Sequence, residues 1–263
     1  IIRETFEVQE VVAVLGDAEL AKSLLAKKWD YIFFTGSVDV GKKVYEAAAK
    51  NLTPVTLELG GKNPCIVDDT GSIELKARRI VWGKFVNGGQ TCIAPDFILV
   101  KSNVKQEFIK HLKIEIQKAY SENPQLSPDY CRIINKKNWL RLTELLEDQN
   151  IIYGGGSDED DCYLAPTLVD EPSLASKLMK EEIFGPILPV LTYDSFEDLK
   201  TIILPFPKPL SLYVFSENEE FVERCIHQFS YGGGCINDSL VHFANRRLPF
   251  GGVGNSGIGS YRG

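Results

Sequence analysis

The sequence predicts an α/β fold, and two features of its 263 residues favour that class. Short apolar runs, of the length of buried strands, alternate with longer stretches in which apolar residues recur every three or four positions, as on one face of a helix. Glycine, serine and aspartate separate these segments, as they do in turns and at helix starts. Strands that alternate with helices need crossover connections, so the strands are expected to run parallel.

The N-terminal segment predicts one strand and one helix. The apolar run over residues 11–15 is suited to a buried strand. Asp17 follows it and can cap a helix, on which Leu20, Leu24 and Leu25 would form the apolar face.

A second unit repeats the order strand, helix, strand. Residues 31–34 form an apolar run, and Gly36 and Ser37 then open a helix. Two further strands are predicted over residues 54–59 and 63–68, because both runs are apolar and bounded by turn residues.

The rest of the chain continues the alternation by the same criteria. Helices are predicted over residues 73–86, 104–119, 136–148, 194–203 and 217–228. Strands are predicted over residues 97–100, 210–215 and 234–237. The glycines at 154–156 and the acidic run at 158–161 predict an exposed loop.

Composition excludes several classes of protein. Hydrophobic residues make up 44% and charged residues 25% of the chain, as in ordinary globular proteins. The net charge of −7 argues against binding of nucleic acid through bulk electrostatics. No run approaches the about 18 apolar residues of a membrane span. The six cysteines form no Cys-x-x-Cys pair and only three histidines are present, so no metal site is predicted.

Cys92 is the candidate nucleophile. It closes the polar, glycine-bearing turn that begins at Asn87, where a thiol can be reached and main-chain N–H groups can face the oxygen of a group under attack. The alternative is a buried structural cysteine, which is the common fate of a single free cysteine.

Glu58 is the candidate general base. It stands at the end of an apolar strand and is followed by Gly60 and Gly61. An ordinary glutamate is a weak base, so burial would have to raise its pKa. The alternative is a solvated charge at the end of a strand.

A third motif is the run of Gly36, Ser37 and Gly41 between a strand and a helix. The free N–H groups and the positive end of a helix dipole suit a pyrophosphate. The run differs from the usual Gly-x-Gly-x-x-Gly fingerprint. Glycines at such turns also occur for backbone reasons alone.

Taken as a set, these motifs resemble the aldehyde dehydrogenase superfamily, most closely its class 3 and fatty-aldehyde branch. The segments that carry the resemblance are Phe34 to Ser37 with Gly41, Leu52 to Lys62, Trp82 to Asp96, Glu181 to Pro186, and Leu248 to Gly259. They cover nearly the whole chain in the order of the family.

The resemblance implies a partial Rossmann-like parallel-sheet cofactor domain and an α/β catalytic domain. Residues 1–60 would be part of the dinucleotide-binding domain, residues 61–255 the catalytic domain, and residues 256–263 the start of a truncated C-terminal tail. It also implies a longer protein, in which a portion before Ile1 supplies an asparagine for the oxyanion hole.

The resemblance further implies NAD- or NADP-dependent oxidation of a small-molecule aldehyde to a carboxylate. Cys92 would form a thiohemiacetal and, after hydride transfer, a thioester, and Glu58 would activate the hydrolytic water. The cofactor-binding residues would be Gly36, Ser37, Gly41, Leu59, Glu182 and Phe184. Phe250 would line the aldehyde pocket, with core packing as its alternative.

Partners and location follow from the same resemblance. The full-length protein is expected to be a cytoplasmic homodimer, with no nucleic-acid partner and no membrane segment in this chain. Two other functions stay open at this point. One is a thiol esterase or acyl transferase that uses Cys92 without redox chemistry, and the other is a non-catalytic binding or structural relative.

Overall fold

Two sheets and a short hairpin organise the chain. The computed structural model describes residues 1–262, except for the side chain of Arg3. Residue 263, the last of the predicted tail, lies outside the described residues. The α/β class predicted from the sequence is confirmed, since helices cover both faces of a sheet in which most strands run parallel.

The helices and strands are numbered in chain order. The helices are α1 (Ile2–Thr5), α2 (Ala18–Leu25), α3 (Val38–Ala49), α4 (Ile73–Phe85), α5 (Lys105–Tyr120), α6 (Lys136–Glu144), α7 (Lys177–Lys180), α8 (Phe196–Ile203) and α9 (Glu219–Gln228). The strands are β1 (Ile32–Thr35), β2 (Val55–Glu58), β3 (Pro64–Val67), β4 (Phe97–Lys101), β5 (Ile151–Tyr153), β6 (Ser157–Asp158), β7 (Tyr163–Leu164), β8 (Thr167–Asp170), β9 (Ile187–Tyr193), β10 (Ser211–Phe215), β11 (Gly233–Ile236) and β12 (Gly257–Ile258).

The smaller sheet has three strands in the order β1-β2-β12. β1 and β2 are parallel and are joined by α3, whose first turn is capped by the Ser37 side chain. β12, from the far end of the chain, lies antiparallel to β2 and pairs Gly257 with Glu58. Glu58 therefore ends a central strand of this sheet.

The larger sheet has seven strands in the order β11-β10-β3-β4-β9-β8-β5. All of its neighbouring strands are parallel except β5 and β8. Alternate residues of β3 face opposite sides, as the pleat requires. Cys65 and Val67 pack with α4 and α5, and Ile66 packs with α8 and α9. The sheet is thus the middle of three layers.

The predicted elements mostly match the structure within a few residues, with one clear error. The run over residues 11–15 was predicted to be a buried strand, but it forms no strand and Leu15 is 93% exposed. An apolar run becomes a strand only where a neighbouring strand can pair with it, and none of the described residues does so here.

Several strands were not predicted, and β9 is the longest of them. Its run contains Pro189, which lacks an N–H group and is rare in central strands. Pro189 pairs with β8, and the pairing of β9 with β4 begins only at Val190. The proline therefore stands just outside the ladder on that side.

No helix among the described residues is long and apolar enough to cross a membrane.

Candidate active site

Glu58 is buried at the end of β2. Its residue is only 3% exposed, and neither carboxylate oxygen has a hydrogen-bond partner within the protein. Burial raises the pKa of Glu58 from its ordinary value of 4.5 to about 7. A carboxylate kept out of water without a partner becomes a stronger base, because its charged form loses solvation.

The turn before Cys92 has a backbone that favours glycine. Asn87, Gly88 and Gly89 have φ angles of 55°, 60° and 72°, all in the left-handed region. A Cβ atom built on Gly89 would lie 2.6 Å from the carbonyl carbon of Gly185. A side chain at residue 89 would therefore push the turn away from the segment that carries Glu182.

Gln90 fixes the turn from the other side. Its amide nitrogen donates to the carbonyl of Arg132 at 3.1 Å, and its amide oxygen accepts from the N–H of Ile134 at 3.0 Å. The glycines thus give the turn its shape, and the glutamine anchors it to the segment after α5.

Cys92 is half-buried at the end of this turn. Burial, together with the nearby charges of Glu182 and Glu58, raises the pKa of its thiol to about 11. The main-chain N–H groups of Cys92 and Ile93 oppose this effect by stabilising the thiolate. Both carboxylates are therefore close enough to Cys92 for their charges to act on its sulfur. The side chain of Cys92 is a protonated thiol at neutral pH.

Asn63 is a residue of this site that sequence reasoning missed. Its side-chain amide donates to the carbonyls of Cys92 at 2.8 Å and Ala94 at 3.0 Å, and its oxygen accepts from the N–H of Ser211 at 2.9 Å. Asn63 precedes β3 directly and Ser211 begins β10, so the amide ties the nucleophile loop to two strands. An amide just before a buried strand was the available signal, because a buried amide needs partners for both of its donors.

Glu182 lies against the glycine pair that follows Glu58. A Cβ atom built on Gly60 would lie 2.5 Å from one carboxylate oxygen of Glu182 and closer to the other, and the main-chain N–H of Gly61 opposes the rise in the pKa of this carboxylate. Burial, together with the charge of Asp96, raises the pKa of Glu182 to about 7. The structure thus brings together the predicted residues Cys92, Glu58 and Glu182.

The predicted phosphate-binding turn adjoins the strand of Glu58. The N–H of Gly36 donates to the carbonyl of Glu58 at 3.0 Å, and Ser37 caps α3. Gly41 packs so closely on Leu59 that a Cβ atom there would lie 2.5 Å from a methyl carbon of Leu59. The first turn of α3 therefore stands next to the end of β2.

The two predicted aromatic residues differ in exposure. Phe184 is 42% exposed and has a φ angle of 47°, which turns the chain just after Glu182. Phe250 is 7% exposed and packs with Ile93 and Leu210, against which Cys92 also packs. Phe184 thus offers a free aromatic face, and Phe250 belongs to the apolar wall beside the nucleophile.

A comparison with known families decides the classification. A model described as "Aldehyde dehydrogenase family" matches residues 6–263. The chain belongs to the aldehyde dehydrogenase family. The resemblance drawn from the sequence motifs is thereby confirmed, including its class 3 branch, since named members of aldehyde dehydrogenase family 3 are among the relatives.

Two curated aldehyde dehydrogenases illustrate the likeness. The 4,4'-diaponeurosporen-aldehyde dehydrogenase of Staphylococcus aureus (strain NCTC 8325 / PS 47) is 52% identical over 265 residues, covering 100% of this chain and 58% of that protein. Aldehyde dehydrogenase family 3 member A2 of Rattus norvegicus is 47% identical over 250 residues, covering 95% of this chain and 52% of that protein. The chain therefore spans about half the length of the curated relatives it matches.

Solved aldehyde dehydrogenases share the fold. A substrate-bound structure of Staphylococcus aureus AldH has a TM-score of 0.97 at 52% identity and covers 100% of this chain and 58% of its own. Lactaldehyde dehydrogenase from Escherichia coli has a TM-score of 0.86 at 29% identity, covering 95% of this chain and 54% of its own. In this aldehyde dehydrogenase chain, the described residues contain no group of three or more His, Cys, Asp or Glu side chains that could hold a metal ion.

Proposed function

We propose that the protein oxidises an aldehyde to a carboxylate with NAD or NADP, using Cys92 as the nucleophile and Glu58 as the base. The overall reaction consumes an aldehyde, water and the oxidised cofactor, and yields the acid and the reduced cofactor. Residues 1–60 would contribute to the cofactor domain and residues 61–255 to the catalytic domain.

The buried carboxylate of Glu58 is the observation that carries the proposal. It has no partner within the protein, its pKa of about 7 lies near neutral pH, and its charge acts on the sulfur of Cys92. A base is most effective when its pKa lies close to the working pH. An unsatisfied buried carboxylate also costs stability, which a purely structural glutamate would have no reason to bear.

Cys92 supplies the covalent step. Its thiolate attacks the carbonyl carbon of the aldehyde, and the resulting alkoxide would be stabilised by main-chain N–H groups at the cysteine. Because the thiol has a pKa of about 11, its proton would pass to the carboxylate of Glu58 as the new bond forms, and Glu58 would release that proton to solvent before the hydrolytic step. In the later step, Glu58 takes a proton from a water molecule, which hydrolyses the thioester and frees the thiol.

The residues near Cys92 fit a nicotinamide dinucleotide. The carboxylate of Glu182 can accept hydrogen bonds from ribose hydroxyls, and the exposed ring of Phe184 can pack on a sugar or a nicotinamide. Gly36 and Ser37 stand at the first turn of α3, where a helix end favours a diphosphate. The cofactor, when bound, would accept the hydride that leaves the aldehyde carbon.

The packing in this region supports the same assignment. Leu59 and Gly41 join the end of β2 to α3, so the strand of the base and the helix of the phosphate turn are held together. Phe250 would contribute to the aldehyde pocket, because it lies in the apolar cluster against which Cys92 packs.

Names of relatives add to the proposal in two respects. One relative, from Canis lupus familiaris, is named "Aldehyde dehydrogenase, dimeric NADP-preferring" and is 46% identical over 250 residues. We accordingly infer a homodimeric protein that takes NAD or NADP.

The test measures nicotinamide reduction by the longest gene product that contains these residues. Short, aromatic and long-chain aldehydes are supplied with NAD or NADP, and Cys92→Ala is expected to abolish turnover. Cys225→Ala is the matched control, since Cys225 is buried in α9 on the far side of the sheet. Hydrolysis of acyl esters without any dependence on NAD or NADP would contradict the proposal and favour a thiol esterase.

A further inference from the structure

A buried lysine holds the backbone within α7 and directly after it. The ammonium group of Lys62 donates to the carbonyl of Leu178 at 2.6 Å and to that of Glu181 at 2.9 Å. It also pairs with the carboxylate of Asp96 at 2.5 Å, and both side chains of this ion pair are less than 5% exposed. The lysine therefore fixes the residue directly before Glu182.

Asp96 holds the residue directly after Glu182. One of its oxygens accepts from the N–H of Ile183 at 2.9 Å, and the other pairs with Lys62. Arg141, in α6, adds a hydrogen bond of 2.6 Å to the carbonyl of Ile183. Glu182 is thus flanked on either side by backbone groups that charged side chains hold in place.

The ion pair also joins three parts of the site. Lys62 follows Glu58 by four residues, and Asp96 follows Cys92 by the same interval. Lys62 is therefore tied to Glu58 through the main chain, and Asp96 is tied to Cys92 in the same way. The side chains of both Lys62 and Asp96 reach the segment of Glu182. A single ion pair connects the strand of the base, the loop of the nucleophile and the segment of Glu182.

The geometry points to Lys62 and Asp96 as a positioning pair that sets the carboxylate of Glu182 for the cofactor. This role rests on the proposed function, in which Glu182 binds a ribose. The pair does not touch the reacting atoms and acts only through Glu182. A displacement of about an ångström in a positioned group is enough to change a rate or an affinity by roughly 100-fold.

The charges around the pair agree with this role. Lys62 stabilises the charged form of Glu182, while Asp96 opposes it. Lys84 is also fully buried nearby and feels the charges of Asp96 and Glu182. Three cations, Lys62, Lys84 and Arg141, therefore lie near the half-buried carboxylate of Glu182 together with Asp96, and Lys62 and Arg141 favour its charged form.

The chain contains a matched control at the other end of β3. Lys76 pairs with Asp68 at 2.8 Å, and both side chains are nearly as deeply buried as those of Lys62 and Asp96. Asp68 directly follows β3, whereas Lys62 lies two residues before its first residue, so the two ion pairs lie at opposite ends of this strand. Replacing a residue of either pair breaks a buried ion pair. Only the pair of Lys62 and Asp96 contacts the segment of Glu182.

The experiment measures the dissociation constant of NAD or NADP by calorimetry, together with the KM values, in the longest gene product. Lys62→Met should weaken cofactor binding about tenfold or more and raise the cofactor KM in parallel. Asp96→Asn should weaken binding as well, although its remaining oxygen can still accept from Ile183. Lys76→Met should lower the melting temperature without changing cofactor affinity.

A double-mutant cycle tests whether Lys62 acts through Glu182. In a Glu182→Gln background, Lys62→Met should have little further effect on the dissociation constant, because the positioned carboxylate is already gone. Additive losses, or an unchanged affinity in folded Lys62→Met and Asp96→Asn proteins, would overturn the positioning role. An unmodified protein that binds neither NAD nor NADP would instead contradict the proposed function itself.

Discussion

The carboxylate of Glu182 fills the space in which a side chain at Gly60 would lie. A Cβ atom at residue 60 would stand 2.5 Å from one carboxylate oxygen, so the two groups cannot both keep their places. We expect Gly60→Ala to leave the fold intact, because the displaced atoms are the end of a flexible side chain, but to raise the cofactor KM about tenfold or more.

The neighbouring glycine provides the control for that change. A Cβ atom on Gly61 would meet its nearest atom, Cα of Pro209, at 3.5 Å, an ordinary contact. Gly61→Ala should therefore raise the cofactor KM much less than Gly60→Ala. Equal KM values in the two variants would show that the position of Glu182 does not matter for the cofactor.

The base assigned to Glu58 predicts the pH dependence of turnover. Its pKa of about 7 means that the carboxylate forms as the pH rises through neutrality, so turnover should increase over that range and level off above it. Glu58→Gln should lower kcat by about 100-fold or more. It should also remove the rising limb of the pH–rate profile that belongs to Glu58. Steady-state rates between pH 5.5 and 9 (roughly the range that brackets this pKa) provide the measurement.

Glu182 also has a pKa of about 7, so the variant is needed to assign that limb. If the Glu58→Gln protein hydrolyses its thioester at the unmodified rate, the role of base belongs to another group. Release of acid after a single turnover, followed by rapid quenching, separates hydrolysis from the earlier steps.

Burial of Glu58 predicts a dependence of stability on pH. The folded protein holds this proton up to about pH 7, while an unfolded chain releases it near pH 4.5. The folded state therefore loses stability as the pH rises between these values, and the loss persists at higher pH. Glu58→Gln should be more stable than the unmodified protein by about 1–3 kcal/mol at pH 8 (a figure that allows about 1.4 kcal/mol for each pKa unit), with the difference shrinking toward acid pH.

Denaturant unfolding across this range of pH provides the comparison. Glu122→Gln is the matched control, because Glu122 is exposed and its replacement should change the free energy of unfolding little. A stability gain in Glu58→Gln that does not grow with pH would contradict the burial of a charged Glu58.

The raised pKa of Cys92 predicts slow alkylation of the protein without cofactor. With a pKa of about 11, little thiolate is present at neutral pH, and the alkylation rate should climb as the pH approaches that value. Glu182→Gln removes the larger of the two electrostatic causes, so it should lower this pKa and speed alkylation at pH 8 (roughly the pKa of an ordinary thiol). Peptide mass analysis assigns the label to residue 92. An unchanged alkylation rate in Glu182→Gln would show that the charge of Glu182 does not influence the sulfur of Cys92.

The sequence predicted most of the helices, because their caps and apolar faces are local signals. Asp17, Ser37 and Ser72 each cap a helix within the first third of the chain, and the side chains do so in the structure. Strands were harder, since a strand depends on a partner that is distant along the chain. The run over residues 11–15 lacks such a partner. β9 was not predicted because its run contains Pro189.

The site divides in the same way. Cys92 and Glu58 were predicted from their local patterns and the family resemblance, but the burial of Glu58 and the contact of Glu182 with Gly60 depend on the assembled fold. Asn63 was missed because its three hydrogen-bond partners lie in two distant segments. Spacing along the chain indicates which groups can react, and packing decides their pKa values.

The pairing of β12 with β2 has a consequence for protein synthesis. Gly257 pairs with Glu58, and Leu59 donates to the carbonyl of Ser256 at 3.1 Å. Translation adds residues at roughly 5–20 per second, so roughly 10–40 seconds separate the emergence of these two partners. A nascent chain on the ribosome therefore carries Glu58 on a strand that is paired with β1 alone, and the second neighbour of that strand, β12, arrives only when translation of this region is complete.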